Sequence, residues 1–542
     1  MDSDASLLAV LRRYWGYDSF RPLQEKIVRS LLGGRDACVV MPTGGGKSLC
    51  YQLPAALQPE KTAVVISPLI ALMQDQIAQL DQMGISAALL NSSLRESEQH
   101  RVIAEARAGR FRILYLSPER IARADTLSWL REVPISFFAI DEAHCISEWG
   151  HEFRPEYRRL SELRRNFPDR PFAAFTASAT RQVRHDIIQQ LQMRAPDKYI
   201  ASFHRPNLRY WVRECNSRTQ PDLLIEAVRK HRTGNVIVYS PTIAKVAQTV
   251  SLLADAGIGA IPYHGKMGAA ERRTNQERWM ADEVRVLVGT IAFGLGINKA
   301  AVRAVIHLSL PKSIEQYYQE AGRAGRDGLP ADCLLLWTKA DSVLLSHFIK
   351  QIGDEAERER SWQRYHTIQR FVRSVECRHL QICGHFGEVR KWDSCGACDV
   401  CLGATESQEQ PAAIAAPPVA AKRRAPDIPR TAAARKDSSG SARAGAMDAG
   451  LFERLREWRS ATAKEQGVPA FVVLHDATLE AICLRRPASR DELLAVPGIG
   501  ERKAERYGRQ ILSLLAQQGK PSQVKKDDSS GKPRTRGVAA GG

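Results

Sequence analysis

No stretch of the 542-residue chain stays apolar for the roughly 18 residues that a membrane-spanning helix needs. The opening MDSDASLLAV lacks the basic-then-apolar order of a secretory signal. The expectation is a soluble intracellular protein, cytoplasmic and nucleoid-associated in a bacterium or nuclear in a eukaryote. Acidic residues are in short supply: 60 Asp and Glu stand against 78 Lys and Arg, a formal net charge of +18. Such a surface attracts phosphate backbones without regard to sequence, and the same charge also serves solubility. A disulfide framework is excluded by the placement of the cysteines. Cys38, Cys50, Cys145, Cys215, Cys333 and Cys483 are scattered, whereas Cys377, Cys383, Cys395, Cys398 and Cys401 cluster. In an intracellular chain a dense CxxCxxC points to a metal.

What is present is an α/β rhythm. Apolar runs DACVV, TAVVIS, RILYLS, FFAID and FAAFTA alternate with amphipathic segments, and the pattern repeats with NVIVYS, IGAIPYH, VRVLVGT, AVIHLSL and CLLLW. This predicts two tandem lobes built on largely parallel sheets, over residues 1–204 and 205–340, joined through ASFHRPNLRYWV. Residues 341–402 read as a helical module ending in the cysteine cluster. Residues 403–446, rich in Ala, Pro and Ser, read as a disordered linker. Helical periodicity returns over 447–518, and 519–542 reads as a flexible basic tail.

MPTGGGKS follows the strand DACVV and precedes a helical stretch. Its amides can wrap phosphates, and the helix N-terminus behind them favours negative charge. Thr43, Gly44, Gly45 and Gly46 supply the cradle, Lys47 the charge for the outer phosphates, and Ser48 a hydroxyl for Mg²⁺. A strict P-loop has glycine where Met41 stands, so only the shorter GGGKS form is met. Asp141 and Glu142 end the apolar run FFAI. Asp141 suits the water shell of Mg²⁺, and Glu142 suits the attacking water. Upstream, GYDSFRPLQ offers Tyr17 as a face for adenine, Gln24 as a bidentate amide for its edge, and Arg21 near the phosphates. In the second lobe QEAGRAGRDG sets Arg323 and Arg326 among glycines. An arginine supplied to a phosphoryl-transfer transition state adds about 10³–10⁵ in rate.

One feature is superfluous to hydrolysis. The loop after the acid pair carries Trp149, Phe153 and Arg154, a combination suited to gripping a nucleic-acid strand. Taken together, TGGGKS, DEAH, FTASAT, FGLGINKAAVRAVIH and YYQEAGRAGRDG resemble superfamily 2 helicases. More narrowly, GYDSFRPLQ, SPLIALMQDQ, DEAHCISEWGHEFRPEY, FHRPNLRY and CGACDVC resemble the RecQ family of DNA helicases across residues 7–402. The resemblance implies two RecA-like lobes and a 3′-to-5′ DNA helicase using ATP and Mg²⁺. It makes the aromatic loop the coupling between DNA binding and hydrolysis. Its partners would be single-stranded and branched DNA, single-stranded-DNA-binding protein and repair or recombination factors, with the enzyme acting as a monomer. Pro68 and Gln74, with Ser117 and Arg120 in SPER, are expected on the sugar-phosphate track. Thr176 and Ser178 are expected to link that track to ATP, with Gly294 and Gly296 in a loop near both ligands.

Cys395, Cys398 and Cys401 can converge on one tetrahedral Zn²⁺, with Cys377, Cys383, His379 and His385 competing for the fourth place. The RecQ pattern favours Cys377. Residues 447–518 resemble an HRDC domain, an all-α bundle, in which VPGIGERKA suggests a phosphate-binding turn with Arg502, Lys503 and Arg506 around it. RecQ proteins commonly carry a winged helix between these modules, and the interval here has too few apolar residues to build one. A second expectation follows: a DNA-stimulated ATPase that remodels or anneals strands and unwinds weakly. DEAH prompts an RNA helicase, which the aromatic loop and cysteine cluster oppose. A nonenzymatic scaffold conflicts with Lys47, Asp141, Glu142 and Arg326.

Overall fold

The architecture is that of a computed structural model describing residues 3–91, 94–150, 152–291, 299–403, 449–466, 473–474 and 476–516. The expected linker and tail, and Gly294 and Gly296, lie outside the described residues.

The first sheet has seven strands: β1 (Ala37–Val40), β2 (Thr62–Ile66), β3 (Ala87–Leu90), β4 (Ile113–Leu116), β5 (Ile135–Ile140), β6 (Phe172–Thr176) and β7 (Asp197–Ile200). Their order is β3-β4-β2-β5-β6-β1-β7, and every pairing is parallel. Helices cover both faces, which is why ACVV, ILYL and ISFFAI are continuously apolar and buried rather than alternating. The second sheet comprises β8 (Leu208–Glu214), β9 (Asn235–Tyr239), β10 (Ala260–Tyr263), β11 (Val286–Gly289), β12 (Val302–His307) and β13 (Ala331–Trp337). Its order, β10-β11-β9-β12-β13-β8, is likewise all parallel. In both sheets loops gather at the carboxyl ends of the strands, where α/β proteins bind ligands.

Helices Lys339–Lys350, Glu355–Arg373 and Arg378–His385 make the module that follows the second sheet. Its last turn adds to that sheet: Cys398 bridges Tyr210 in parallel, and the Asp399 carboxylate accepts from the Val212 amide at 3.0 Å. Arg378 grips the same carboxylate through two bonds, 2.9 and 3.2 Å long, with both partners buried. Phe386 stacks on Phe203 at 4.3 Å between centroids.

The C-terminal helices Ala449–Gln466, Asp476–Arg485, Arg490–Leu494 and Glu501–Ala516 form a bundle around Leu455, Leu479, Ile482, Leu493 and Ile511. The bundle rests on the first lobe. Its turn at Gly498 meets the turn at Gly16, and a Cβ on Gly16 would lie 2.5 Å from the Gly498 nitrogen. Both residues have positive φ, so each turn depends on glycine. The Tyr507 hydroxyl lies 3.3 Å from Gln82 Oε1, and Arg456 pairs with Asp282 of the second lobe.

Candidate active site and nucleic-acid interface

β1 ends at Val40, and the chain turns through Met41–Gly46 into the helix Lys47–Ala56. Gly44 and Gly46 have φ of +83° and +82°, a region that side chains rarely enter. A Cβ on Gly46 would fall 2.3 Å from Gln24 Nε2, and one on Gly44 would press on Arg326 at 3.2 Å. The turn is therefore a bare backbone cradle with the Gln24 amide against one glycine and the Arg326 cation against the other. Lys47 opens the helix and donates to the Met41 carbonyl at 3.1 Å. Burial pulls its pKa down, while Glu142 and Asp141 pull it back up. Ser48 is half-buried in the same first turn.

The acid pair sits at the carboxyl end of β5, beside this cradle. The Asp141 amide donates to the Ile66 carbonyl at 2.8 Å, and the Tyr157 hydroxyl donates to the Asp141 carbonyl at 3.0 Å. Burial raises the Asp141 pKa, with Lys47 opposing. Burial, and then the charge of Asp141, pushes Glu142 up to about 7. Glu142 has φ of +47°, a conformation costing about 1–3 kcal/mol that persists where its surroundings hold it. A cradle of bare amides, an ammonium and two buried carboxylates fits a nucleotide triphosphate with its metal, Ser48 and Asp141 being the residues that would hold Mg²⁺.

Gln24 is already engaged. Its Nε2 donates to the Gly46 carbonyl at 3.2 Å, and its Oε1 accepts from the Arg21 amide at 2.8 Å. Arg21 donates to the Gly44 carbonyl. Tyr17 is exposed. Gln24 and Arg21 thus grip the phosphate loop itself.

The second lobe meets the cradle directly. Arg326 lies against Gly44, and burial, with Arg323 and Arg205 nearby, pushes its pKa down to about 9. Arg323 acts on Glu142 as an opposite charge. Gln319 donates to Ser178 Oγ at 2.9 Å, bridging the two lobes. Thr176 Oγ1 lies 2.9 Å from His144 Nδ1, which in turn lies 3.3 Å from the Glu142 carboxylate. His144, Tyr157 and Arg205 escaped the sequence reading, although Arg205 stood in plain view within FHRPN.

The aromatic loop folds back on the acid pair. Gly150 donates to the Ser147 carbonyl at 3.0 Å, and a Cβ on it would lie 2.5 Å from the His144 carbonyl. Trp149 is 47 % exposed, with the Arg360 guanidinium 6.0 Å from its ring centroid. Phe153 is half-buried beneath Arg158, and the Arg154 amide donates to the Cys145 carbonyl at 2.9 Å. Gln74 is exposed on the helix Ile70–Met83, and Pro68 is half-buried just before it.

Three expected contacts need correction. Arg120 is only 4 % exposed and is paired with Asp125 at 3.0 Å. Ser117 is buried, and its hydroxyl caps the helix Pro118–Ile121. Both hold the fold and do not face a strand. Lys503 is buried too, which pushes its pKa down to about 8, so its ammonium is not presented to a phosphate. The side chain of Arg502 lies outside the described residues.

The sulfurs of Cys377, Cys395, Cys398 and Cys401 all lie within 4.8 Å of one another. Cys395 and Cys401 are 3.8 Å apart, and Cys377 and Cys398 are 4.0 Å apart. Tetrahedral Zn–S bonds of about 2.3 Å require sulfurs about 3.8 Å apart, so the set fits zinc with no place left for water. The competitors are committed elsewhere: His379 to the Arg205 carbonyl, His385 to Glu315, and Cys383 outside the cluster.

Comparison with known proteins agrees with this geometry. Family models match in chain order: DEAD/DEAH box helicase over 21–186, helicase conserved C-terminal domain over 219–328, RecQ zinc-binding over 339–402 and HRDC domain over 448–515. The ATP-dependent DNA helicase RecQ of Haemophilus influenzae is 35 % identical, across 94 % of this chain and 95 % of its own. The protein of the same name from Bacillus subtilis is 33 % identical, across 94 % and 98 %. This chain belongs to the RecQ family. Among solved structures, the DEAD-box helicase Mss116 bound to ssRNA aligns with a TM-score of 0.53 at 16 % identity, over 67 % of this chain and 82 % of its own, a likeness of fold alone. The zinc-binding assignment thus rests on both sequence and geometry.

Proposed function

We propose that this RecQ protein is an ATP-dependent DNA helicase that couples hydrolysis of Mg-ATP to 3′-to-5′ movement on single-stranded DNA and to duplex unwinding in repair and recombination. One observation carries the reading: the loop bearing exposed Trp149 is folded onto the backbone of His144, which contacts Glu142. A strand stacked on Trp149 pulls on the residue beside the candidate base. Lys47 and the cradle amides hold the phosphates. Glu142 orients the attacking water and takes its proton, while Arg323 and Arg326 meet charge developing on the outer phosphate. Bound nucleotide, with Mg²⁺ at Ser48 and Asp141, supplies the free energy and draws the lobes together. Hydrolysis releases them, which is the stroke. Tyr17 covers adenine, and Gln24 and Arg21 report on the loop. Phe153, Arg154 and Gln74 extend the DNA track. Single-stranded and branched DNA are the substrates, single-stranded-DNA-binding protein and recombination factors the partners, and a monomer suffices.

A second reading, an ATPase that remodels or anneals strands and unwinds weakly, is favoured by the relatives' extra length. The alignment to the Haemophilus protein runs 593 positions, more than this chain's 542 residues, so that relative carries residues with no counterpart here. The lysine and arginines at 422–424 then supply duplex affinity. Strand displacement on 3′-tailed, 5′-tailed and blunt duplexes decides between them. Unwinding of the 3′-tailed duplex alone supports the first reading; DNA-stimulated hydrolysis without unwinding overturns it in favour of the second.

A further inference from the structure

Arg205 lies in the connection between β7 and β8, where the chain passes from one lobe to the other. Its guanidinium spans both halves of the nucleotide cleft. Nη1 donates to the Thr43 carbonyl of the phosphate loop at 3.2 Å and approaches the Gly322 carbonyl at 3.5 Å. Nη2 donates to the carbonyls of Ala324 and Gly325 at 3.2 and 3.0 Å. Asn207 holds the same turn, donating to the carbonyls of Gly325 and Leu329 at 2.8 and 3.0 Å.

The chemistry of this contact is specific. Carbonyls just past a helix C-terminus, here that of Ile314–Ala321, lack intrahelical donors and carry the negative end of the helix dipole. A planar guanidinium reaches carbonyls on both sides of the cleft from two separate nitrogens, whereas a lysine ammonium donates from a single point. The clamped carbonyls alternate along the chain with Arg323 and Arg326, so fixing them fixes where those two side chains start. Arg205 is itself held from outside. Its carbonyl accepts from His379 Nε2 at 3.1 Å. His379 belongs to the helix that Cys377 precedes. Gathering Arg205, Arg323 and Arg326 in one place is costly without an anion, and nothing about a simple interlobe hinge requires it.

We propose that Arg205 is a positioning residue for ATP hydrolysis: it sets the 322–326 turn against the phosphate loop at Thr43, bringing Arg323 and Arg326 into register, and its His379 contact ties that register to the zinc module. The inference rests on the role given above to those two arginines.

The test is a double-mutant cycle in the full chain, reading single-stranded-DNA-stimulated ATP hydrolysis. Arg205→Gln, Arg326→Ala and the double variant are compared, with zinc content as the check on folding. Arg205→Gln is expected to lower kcat about tenfold while changing KM for ATP less than about threefold. The double variant is expected to be no more than about twofold slower than Arg326→Ala, because the brace acts through that arginine. Arg205→Lys, keeping charge without the fork, is expected to recover only part of kcat, and it carries the same cycle if Arg205→Gln fails to hold zinc. Unchanged kcat in the Arg205 variants, or losses that multiply in the double variant, would overturn the proposal. Full activity in Arg326→Ala would instead remove the reading of the arginine turn, and the brace with it.

Discussion

The zinc module's buried side chains, Phe371, Cys377, Ile382 and Phe386 among them, belong to one continuous apolar core with both lobes, whereas the HRDC bundle packs around a core of its own. The zinc module is further tied in by a strand-like bridge, the Val212 amide on the Asp399 carboxylate and the stacked Phe203 and Phe386. Among the described residues, the HRDC bundle meets the lobes at contacts that include two glycine turns, the Tyr507 hydroxyl and a half-exposed ion pair. Of these, the half-exposed ion pair contributes little, because water competes for it. Two modules that follow one another in sequence thus differ in kind: the first is part of the motor, and the second is an accessory resting on it.

The sharpest break comes from removing the metal. Structural zinc contributes about 10–16 kcal/mol of binding free energy that is also folding free energy. Chelation, or Cys398→Ser, should therefore abolish DNA-stimulated hydrolysis together with zinc, and calorimetry should show the lobes melting earlier. Lobes that keep their Tm would make the two modules alike. Next in size is Arg378→Met, which strands the buried Asp399 carboxylate and should cost about 3–5 kcal/mol by urea unfolding. Replacing Asp399 by Leu as well should restore much of that loss, and no restoration would deny that the pair acts as a unit. The smallest effect belongs to HRDC. A chain ending at residue 446 should keep its basal hydrolysis and move the Tm of the lobes by no more than about 2–4 °C, the response to about 1 kcal/mol in a domain of this size. A larger fall would show that the bundle carries the core.

How much of this was legible beforehand follows the distance over which each feature is written. The phosphate loop, the acid pair and the CxxCxxC run are short consecutive stretches, so Lys47, Asp141, Glu142, Cys395, Cys398 and Cys401 could be singled out from residue types and spacing, whereas Cys377 was chosen over Cys383, His379 and His385 only through the RecQ resemblance. The parallel lobes were legible because strands buried on both faces are uninterrupted apolar words. What escaped depends on pairings far apart in sequence. Arg205 meets Thr43 across 162 positions, and Arg378 meets Asp399 across 21. Arg120 and Lys503 misled for the opposite reason: a basic residue beside a motif suggests phosphate, and only the packed structure shows it buried. Gln24 was matched to adenine by its amide chemistry, and its contact with the phosphate loop was not foreseen because it joins residues 22 positions apart.

The proposed coupling is that a strand on Trp149 reaches Glu142 through the folded loop. The most direct measurement is ATP hydrolysis by Trp149→Ala, with and without single-stranded DNA. Losing one stacking face should weaken the strand contact by about 1–3 kcal/mol. The expected result is a basal rate equal to that of the unaltered protein and little or no stimulation at saturating DNA. Stimulation equal to that of the unaltered protein would contradict it, and would leave the loop as a structural turn beside the site.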